Sequence, residues 1–201
     1  MTDAITRNKW DKAAGIFDLM NGAGPEKRWR PVKEALYAKM AGKILFLAVG
    51  TGLDIGCFPS GKDITGIDIS PKMLEKAAPR VAAYDGNMTA RVMDVHDMDF
   101  ADASFDQVFT SCTFCSVPDP VAGLKQLKRV LKPGGGLYMF EHTGSRVFPF
   151  SLMMNLLNPV FRGLGPEINR DTVANVRAAG FEIRSVNNIT LDMVKTIEAV
   201  A

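Results

Sequence analysis

Lys43-Ile44-Leu45-Phe46-Leu47-Ala48-Val49-Gly50-Thr51-Gly52 is an apolar run that closes in a Gly-x-Gly turn. A second apolar run closes in an acid, at Gly66-Ile67-Asp68-Ile69-Ser70. A parallel α/β sheet builds a nucleoside site from such a pair. The glycines let the backbone approach a ligand with no Cβ in the way, and the acid at the tip of the next strand accepts hydrogen bonds from two ribose hydroxyls. The pattern predicts a cofactor with an adenosine-like end.

Toward the N-terminus, Trp10, Ala13, Ala14, Phe17 and Leu19-Met20 recur at helical spacing over residues 7–21, and Asn21-Gly22-Ala23-Gly24-Pro25 stops that helix. Residues 26–41 read as a second helix with Val32, Leu36 and Met40 on one face. Downstream, strands over 44–49, 63–68, 89–93, 105–112 and 137–141 alternate with helices. One helix opens at Ser70-Pro71, with serine as cap and proline at the first helical position; another, over 121–131, ends at Lys132-Pro133-Gly134-Gly135-Gly136. Residues 180–186 and 188–195 read as closing strands with no helix between them, so they pair antiparallel at an edge. Alternating strands and helices imply a parallel sheet covered on both faces. The expected fold is therefore α/β: a Rossmann-like, doubly wound, mostly parallel seven-stranded sheet with an antiparallel edge strand, plus N-terminal capping helices. The chain reads as one domain, with capping helices over 1–41, a cofactor-binding core over 42–142, an apolar substrate-side insert over 143–170 and closing strands over 171–201. Within the insert, residues 146–164 are rich in Phe, Leu and Met. They read as a core helix or as a lid that meets acyl chains or a bilayer face. Pro149 and Pro159 predict short helical pieces there.

The 201 residues are 47% hydrophobic, enough for one full-sized core and too few for two. A formal charge of +2 calls for no nucleic-acid partner. Three cysteines, Cys57, Cys112 and Cys115, and an N-terminus without the apolar core of a signal peptide suit a reducing compartment. No window reaches the ~18–20 apolar residues of a membrane span.

In order and content these motifs resemble the class I S-adenosylmethionine-dependent methyltransferases over residues 40–195. The resemblance is carried by the glycine turn at 48–52, by Gly66-Ile67-Asp68, by Asp94 after the third strand, by Asp102-Ala103-Ser104-Phe105-Asp106-Gln107-Val108 and by Leu131-Lys132-Pro133-Gly134-Gly135. Phe114-Cys115-Ser116-Val117 and Phe140-Glu141-His142 resemble the short bacterial phospholipid N-methyltransferases and the related membrane-associated thiol methyltransferases. Phe17-Asp18-Leu19-Met20-Asn21, Gly180-Phe181-Glu182 and Asn187-Asn188-Ile189-Thr190 resemble the quinone C-methyltransferases. Two positions depart from the family. An acid usually stands where this chain has Phe46, and a glycine where it has Ala48. Phe46 removes a carboxylate that often bridges to the methionine part of the cofactor, with Asp54 a candidate to take over. Ala48 is a small loss if that residue needs no positive φ.

The resemblance implies S-adenosylmethionine as cofactor and S-adenosylhomocysteine as product. It also implies N-methylation of phosphatidylethanolamine and its mono- and dimethyl derivatives toward phosphatidylcholine. The alternatives are a C-methyltransferase of a quinone precursor, a thiol methyltransferase, or a non-catalytic module that holds the cofactor. Asp68 would accept from the ribose hydroxyls, while Gly50 and Gly52 would lie under the methionine and ribose, with Ala48 and Thr51 in the same cofactor-binding turn. Asp94, or else Asp97, would meet the adenine amine, with the Val95 amide on a ring nitrogen, Ile69 and Met98 packed on the base, and Ser111 along the amino-acid end. Glu141 and His142 are the polar candidates near the methyl, His142 as a proton relay. Asp18 orients an ammonium or is a solvated helix acid. Trp10, Phe17, Tyr37 and Phe114 are the expected walls of the acceptor site.

Cys112-x-x-Cys115 has the spacing of a redox pair or half a zinc site. No second Cys/His pair completes a metal site, and the motif ends a strand, so packing is the expected role and no metal is expected. Arg7, Lys9, Lys12, Lys27, Arg28 and Arg30 cluster around the first two helices. Residues 1–30 and 146–164 together make an expected membrane-facing rim around the acceptor channel. The expected partner is a phospholipid membrane surface, met by a monomeric, cytoplasmic protein held peripherally on the inner face of the membrane.

Overall fold

The structure, a computed structural model, describes residues 4–21, 24–164 and 166–201. Strands β1 (Lys43–Leu47), β2 (Asp63–Asp68), β3 (Asn87–Val92), β4 (Phe105–Ser111) and β5 (Leu131–His142) pair in parallel. The closing hairpin is β6 (Glu182–Thr190) and β7 (Val194–Val200), and β7 runs antiparallel to both β5 and β6. The sheet order is β3-β2-β1-β4-β5-β7-β6. Ile44, Leu45, Phe46 and Leu47 of β1 are all buried, as a central parallel strand covered on both faces requires. The order reverses between β1 and β4, which opens a crevice at their carboxyl ends. Leu47 lies opposite Ile67 on one side and Thr110 on the other, so the tips of β1, β2 and β4 end side by side there.

Helices cover both faces: α1 (Ala4–Ala13), α2 (Phe17–Asn21), α3 (Pro25–Tyr37), α4 (Pro71–Ala82), α5 (Pro120–Val130), α6 (Phe150–Leu164) and α7 (Thr172–Ala178). Local chemistry starts three of them. The Ser70 hydroxyl accepts from Met73 N at 3.1 Å, Asp119 from Ala122 N at 2.9 Å and Asp171 from Ala174 N at 3.0 Å. Such a cap satisfies an amide that the helix cannot and contributes about 1 kcal/mol. α4 then buries Met73 and Ala77, and α5 buries Leu124, Leu127 and Val130.

The boundaries differ from the sequence reading where the backbone leaves ordinary φ. β1 stops at Leu47 because Ala48 turns to φ 59°, and β4 stops at Ser111 because Cys112 turns to φ 48°. The expected first helix is two, parted by a turn over 14–16 that contains Gly15. The second ends at Tyr37. β5 begins already at Leu131, which pairs with Phe105, and the glycines that follow form an irregularity before Gly136 rejoins opposite Gln107. The hairpin strands lie further toward the C-terminus than expected, because the turn falls after Thr190, where Leu191 takes φ 51°. α6 is one helix, with Pro159 inside it and Pro149 just ahead of it, where a missing N–H costs nothing. α7 was not read from the sequence, since seven residues are too few to show a period.

Phe46, the residue at the family's acidic position, lies in an aromatic cluster beneath α3. Its ring is 4.8 Å from Phe58 and 5.8 Å from Tyr37, and Phe109 stacks on Tyr138 at 4.7 Å. Phe46 is buried, so a carboxylate here would be taken out of water among these rings. Phe46→Asp is therefore expected to cost at least about 3–5 kcal/mol of folding stability, through a lost ring and a buried charge. A shift in the midpoint of denaturant unfolding measures it.

Candidate active site

The site is built on the turn after β1. Ala48, Gly50 and Gly52 take φ of 59°, 58° and 83°. The Gly50 amide donates to Asp68 Oδ2 at 2.8 Å, and the Ser70 amide donates to Oδ1 at 2.8 Å. One carboxylate thus ties the β1 turn to the start of α4. No atom lies within 4 Å of where a Cβ on Gly50 would stand, so that backbone faces open space. Asp68 is buried, and burial pushes its carboxyl up to about 6; the Ser70 and Gly50 amides draw it back, while the Asp11 carboxylate raises it further. Ala48 does require positive φ, contrary to the condition on which its loss was small, and a Cβ there costs about 1–2 kcal/mol.

A cavity of about 670 Å³ opens at these strand tips. Ala48, Gly50, Asp68, Ile69, Asp94, Val95 and Ser111 line one part of it, and Trp10, Phe17 and His142 another. Asp94 is buried; its Oδ1 accepts from the His96 amide at 2.9 Å and faces His96 Nδ1 at 2.9 Å, and His96 Nε2 lies 3.0 Å from the Asp119 carbonyl. Asp97 is exposed and outside the lining, so of the two acids the fold brings Asp94 to the cavity. Trp10 and Phe17 meet edge to face at 6.2 Å. Burial holds His142 below its ordinary pKa of 6.5, so the ring is neutral at neutral pH.

Other expected site residues lie elsewhere. Asp18 does not face the cavity. Its two oxygens accept from the Thr51 hydroxyl and from Arg80 Nη2, the latter at 2.8 Å, and Arg80 Nη1 donates to the Thr51 carbonyl at 2.6 Å. Burial would raise the Asp18 carboxyl, but Thr51 and Arg80 outweigh it and hold the group below its usual value. Asp18 is a strut between α2 and the glycine turn, and Thr51 and Gly52 sit behind that turn rather than in the lining. Glu141 is fully buried off the cavity. It accepts from the Thr110 hydroxyl at 2.7 Å and from the amides of Thr113 and Phe114 at 3.0 and 3.1 Å, so it holds the loop after β4 rather than touching a methyl. Burial pushes its carboxyl up to about 7, against those donors. Tyr37 and Phe114 are core, not walls. The Tyr37 hydroxyl is turned toward Ser111 without a hydrogen bond of normal geometry. Asp54 pairs with the buried Lys33 instead of replacing the acid lost at Phe46. Met98 packs in the core, and Met73 and Met93 take the lining places.

Cys112 and Cys115 are free thiols, and both line the cavity. Burial pushes Cys115 up to about 11, so it stays protonated, whereas Cys112 is exposed at the cavity surface. Among the described residues no group of three or more His, Cys, Asp or Glu could hold a metal ion. The lining also includes Thr6, Ala13, Thr113, Ser116, Phe161 and Ile168, which the sequence reading missed. Thr6, Trp10, Ala13 and Phe17 follow one another at three- or four-residue spacing, a signal that could have found the first helix's share of the wall.

Residues 45–139 match the methyltransferase-domain family. Over 170 residues the chain is 36% identical to the ubiquinone/menaquinone biosynthesis C-methyltransferase UbiE of Geotalea daltonii, an alignment covering 77% of this chain and 72% of that protein. The chain belongs to the S-adenosylmethionine-dependent methyltransferases. This methyltransferase is also 30% identical over 142 residues to the phosphatidylethanolamine N-methyltransferase of Cereibacter sphaeroides, covering 70% of this chain and 68% of that one. A likeness of fold alone joins it to an S-adenosylmethionine-dependent methyltransferase from Thermotoga maritima, with a TM-score of 0.71 at 19% identity over 96% of this chain and 98% of the other. Its cofactor is S-adenosylmethionine and its product S-adenosylhomocysteine. The buried Asp68 carboxylate and the open Gly50 backbone suit a ribose-bearing group at the cavity edge. No helix among the described residues is long and apolar enough to cross a membrane.

The strain at Ala48 is testable. Ala48→Gly is expected to stabilise the ligand-free protein by about 0.5–1 kcal/mol, the relief at positive φ less the entropy glycine loses on folding. Thermal or denaturant unfolding of the two proteins measures the difference.

Proposed function

We propose that this methyltransferase N-methylates the amine head group of a phosphatidylethanolamine-type lipid. The observation that carries the reading is the cavity wall, which contains no Lys or Arg among the described residues and in which burial pushes Asp68 and Cys115 toward their protonated forms. Such a wall disfavours an added anion. A phenolate or thiolate acceptor would need a cation beside it, whereas an amine attacks in its neutral form, and desolvation makes an ammonium easier to deprotonate. The cofactor supplies a methyl group on a sulfonium.

The chain's own residues hold and align the reactants, which is where most of the acceleration of a simple displacement arises. Asp68 accepts from the ribose hydroxyls with the lone pairs that Gly50 and Ser70 leave free. The backbone of Ala48 and Gly50 lies beneath the ribose, Thr51 and Gly52 shape the turn from behind, and Ser111 lines the amino-acid end. Asp94 accepts from the adenine amine, with the Val95 amide on a ring nitrogen and Ile69 against the base. Trp10 and Phe17 present aromatic faces to the head group, whose positive charge after methylation they attract. Neutral His142 takes up the proton that the amine sheds. A second reading, C-methylation of a quinone precursor, is favoured by the identity to the Geotalea protein.

Incubation with methyl-labelled cofactor and either phosphatidylethanolamine or a demethylated quinone, followed by thin-layer separation, distinguishes the two. Label is expected in N-methylated phospholipid. Label in the quinone alone overturns the amine reading, and no transfer despite cofactor binding overturns both.

The site's pH behaviour follows from Asp68. In the unfolded chain its carboxyl ionises near 3.8, but in the fold only near 6. Protonation is therefore favoured by folding, and the ligand-free protein loses this contribution to stability as pH rises between those values. The ribose hydroxyls need the ionised form as acceptor. Cofactor affinity measured by calorimetry is expected to hold steady above pH 6 and to fall below it, approaching about tenfold per pH unit. Asp68→Asn should bind more weakly by about 1–3 kcal/mol and lose that pH dependence.

A further inference from the structure

α6 turns its apolar stripe outward. Among its residues whose burial is described, Met154 is the one apolar side chain in the buried core. Leu152, Leu156 and Val160 are 52%, 70% and 64% exposed, and Met153, Leu157 and Phe161 are exposed as well. At ~100° per residue these six fall within one half of the helix circumference. The opposite half carries the polar residues, two of which bond to the segment that follows the helix: Asn155 Oδ1 accepts from Asn169 Nδ2 at 2.8 Å, and Asn158 Oδ1 accepts from the Ile168 amide at 2.9 Å. A surface helix normally buries its apolar stripe and solvates its polar one. The approach to α6 extends the patch, with Val147 and Phe148 exposed.

Two further observations say what covers this face. The first is continuity with the cavity: Phe161 of α6 and Ile16 between α1 and α2 are exposed and also line it, so the apolar surface runs from outside into the site. The second is charge. α6 has no acidic residue, and Arg146 before it and Arg162 near its end have side chains 81% and 72% exposed even while paired with Asp171 and Glu167. Lys9 Nζ donates to the Arg162 carbonyl at 3.0 Å and brings α1, with Arg7 and Lys12, beside the same end of α6. We propose that this face is a docking surface for an anionic lipid bilayer. α6 lies in the plane of the interface with Leu152, Leu156 and Val160 among the acyl chains, the arginines and α1 lysines sit at head-group level, and the cavity mouth opens against the membrane. A helix of this length rises only ~22 Å, which suits lying in the interface and not spanning it. The inference needs only the exposed surface and goes beyond the identity of the acceptor.

The test is co-sedimentation of the full chain with phosphatidylglycerol vesicles at low salt, without cofactor, for wild type and for Leu156→Glu/Val160→Glu. Neither residue lines the cavity, and an unchanged thermal midpoint and cofactor affinity confirm that the variant is folded. Wild type is expected to pellet with the vesicles, the variant to partition at least about tenfold less, and high salt to weaken wild-type binding. Wild type left in the supernatant overturns the proposal, as does equal binding by the variant. Light scattering that shows a vesicle-free dimer, dissociated by the same substitutions, also overturns it by assigning the face to a second copy of the chain. No methyl transfer is measured, so failure here leaves the acceptor assay untouched, and failure there leaves this result standing.

Discussion

A single buried carboxylate organises the functional end of this molecule. Asp68 receives the Gly50 amide on one oxygen and the Ser70 amide on the other. It thereby fixes the turn leaving β1 against the segment that caps α4. Both contacts use donors that a strand end and a helix start would otherwise leave without partners. Burial works against the charge on Asp68, and the amides work for it. A ligand that brings two further hydroxyl donors would tip that balance toward the ionised form. The strand tips of β1, β2 and β4 supply the level platform on which this happens.

Around that platform the chain uses carboxylates as fasteners more often than as reagents. Glu141 gathers the Thr110 hydroxyl and two amides of the loop after β4, and Arg170 secures the same loop by donating to the Phe114 and Val117 carbonyls. Asp18 clasps Thr51 and Arg80, and Asp11 accepts from the Ser70 hydroxyl at 2.6 Å. The cavity wall itself stays largely apolar. This division fits a displacement that needs alignment and exclusion of water more than acid or base strength.

The sheet and the edge of the cavity at the strand tips were legible in the sequence because their signals are local. Apolar runs that end in glycine or an acid name their own position, and Asp68, Asp94 and Gly50 all stand at the cavity as read. What was not legible depended on direction. Nothing in the spacing of Glu141 and His142 says that the first points into the core and the second into the cavity, although the alternation of a strand makes opposite faces the rule for neighbours. Asp18 looked like a site acid because its helix covers the site, yet Arg80 and Thr51 claim it from elements far along the chain. The positive φ of Ala48 and Cys112 had no sequence signal, since neither residue type announces that conformation. Tyr37 and Phe114 show the commoner fate of an aromatic near a site, which is to be core beneath it.

The way the N-terminal helices are attached has a consequence for turnover. α1 buries none of its residues, and it sits over the cavity through Asp11, through Lys9 and through the strut at Asp18 in the helix that follows. A displacement of α1 would open the part of the cavity wall that Thr6, Trp10 and Ala13 form and leave the sheet and its packed helices undisturbed. Exchange of spent cofactor would then be separable from unfolding of the sheet.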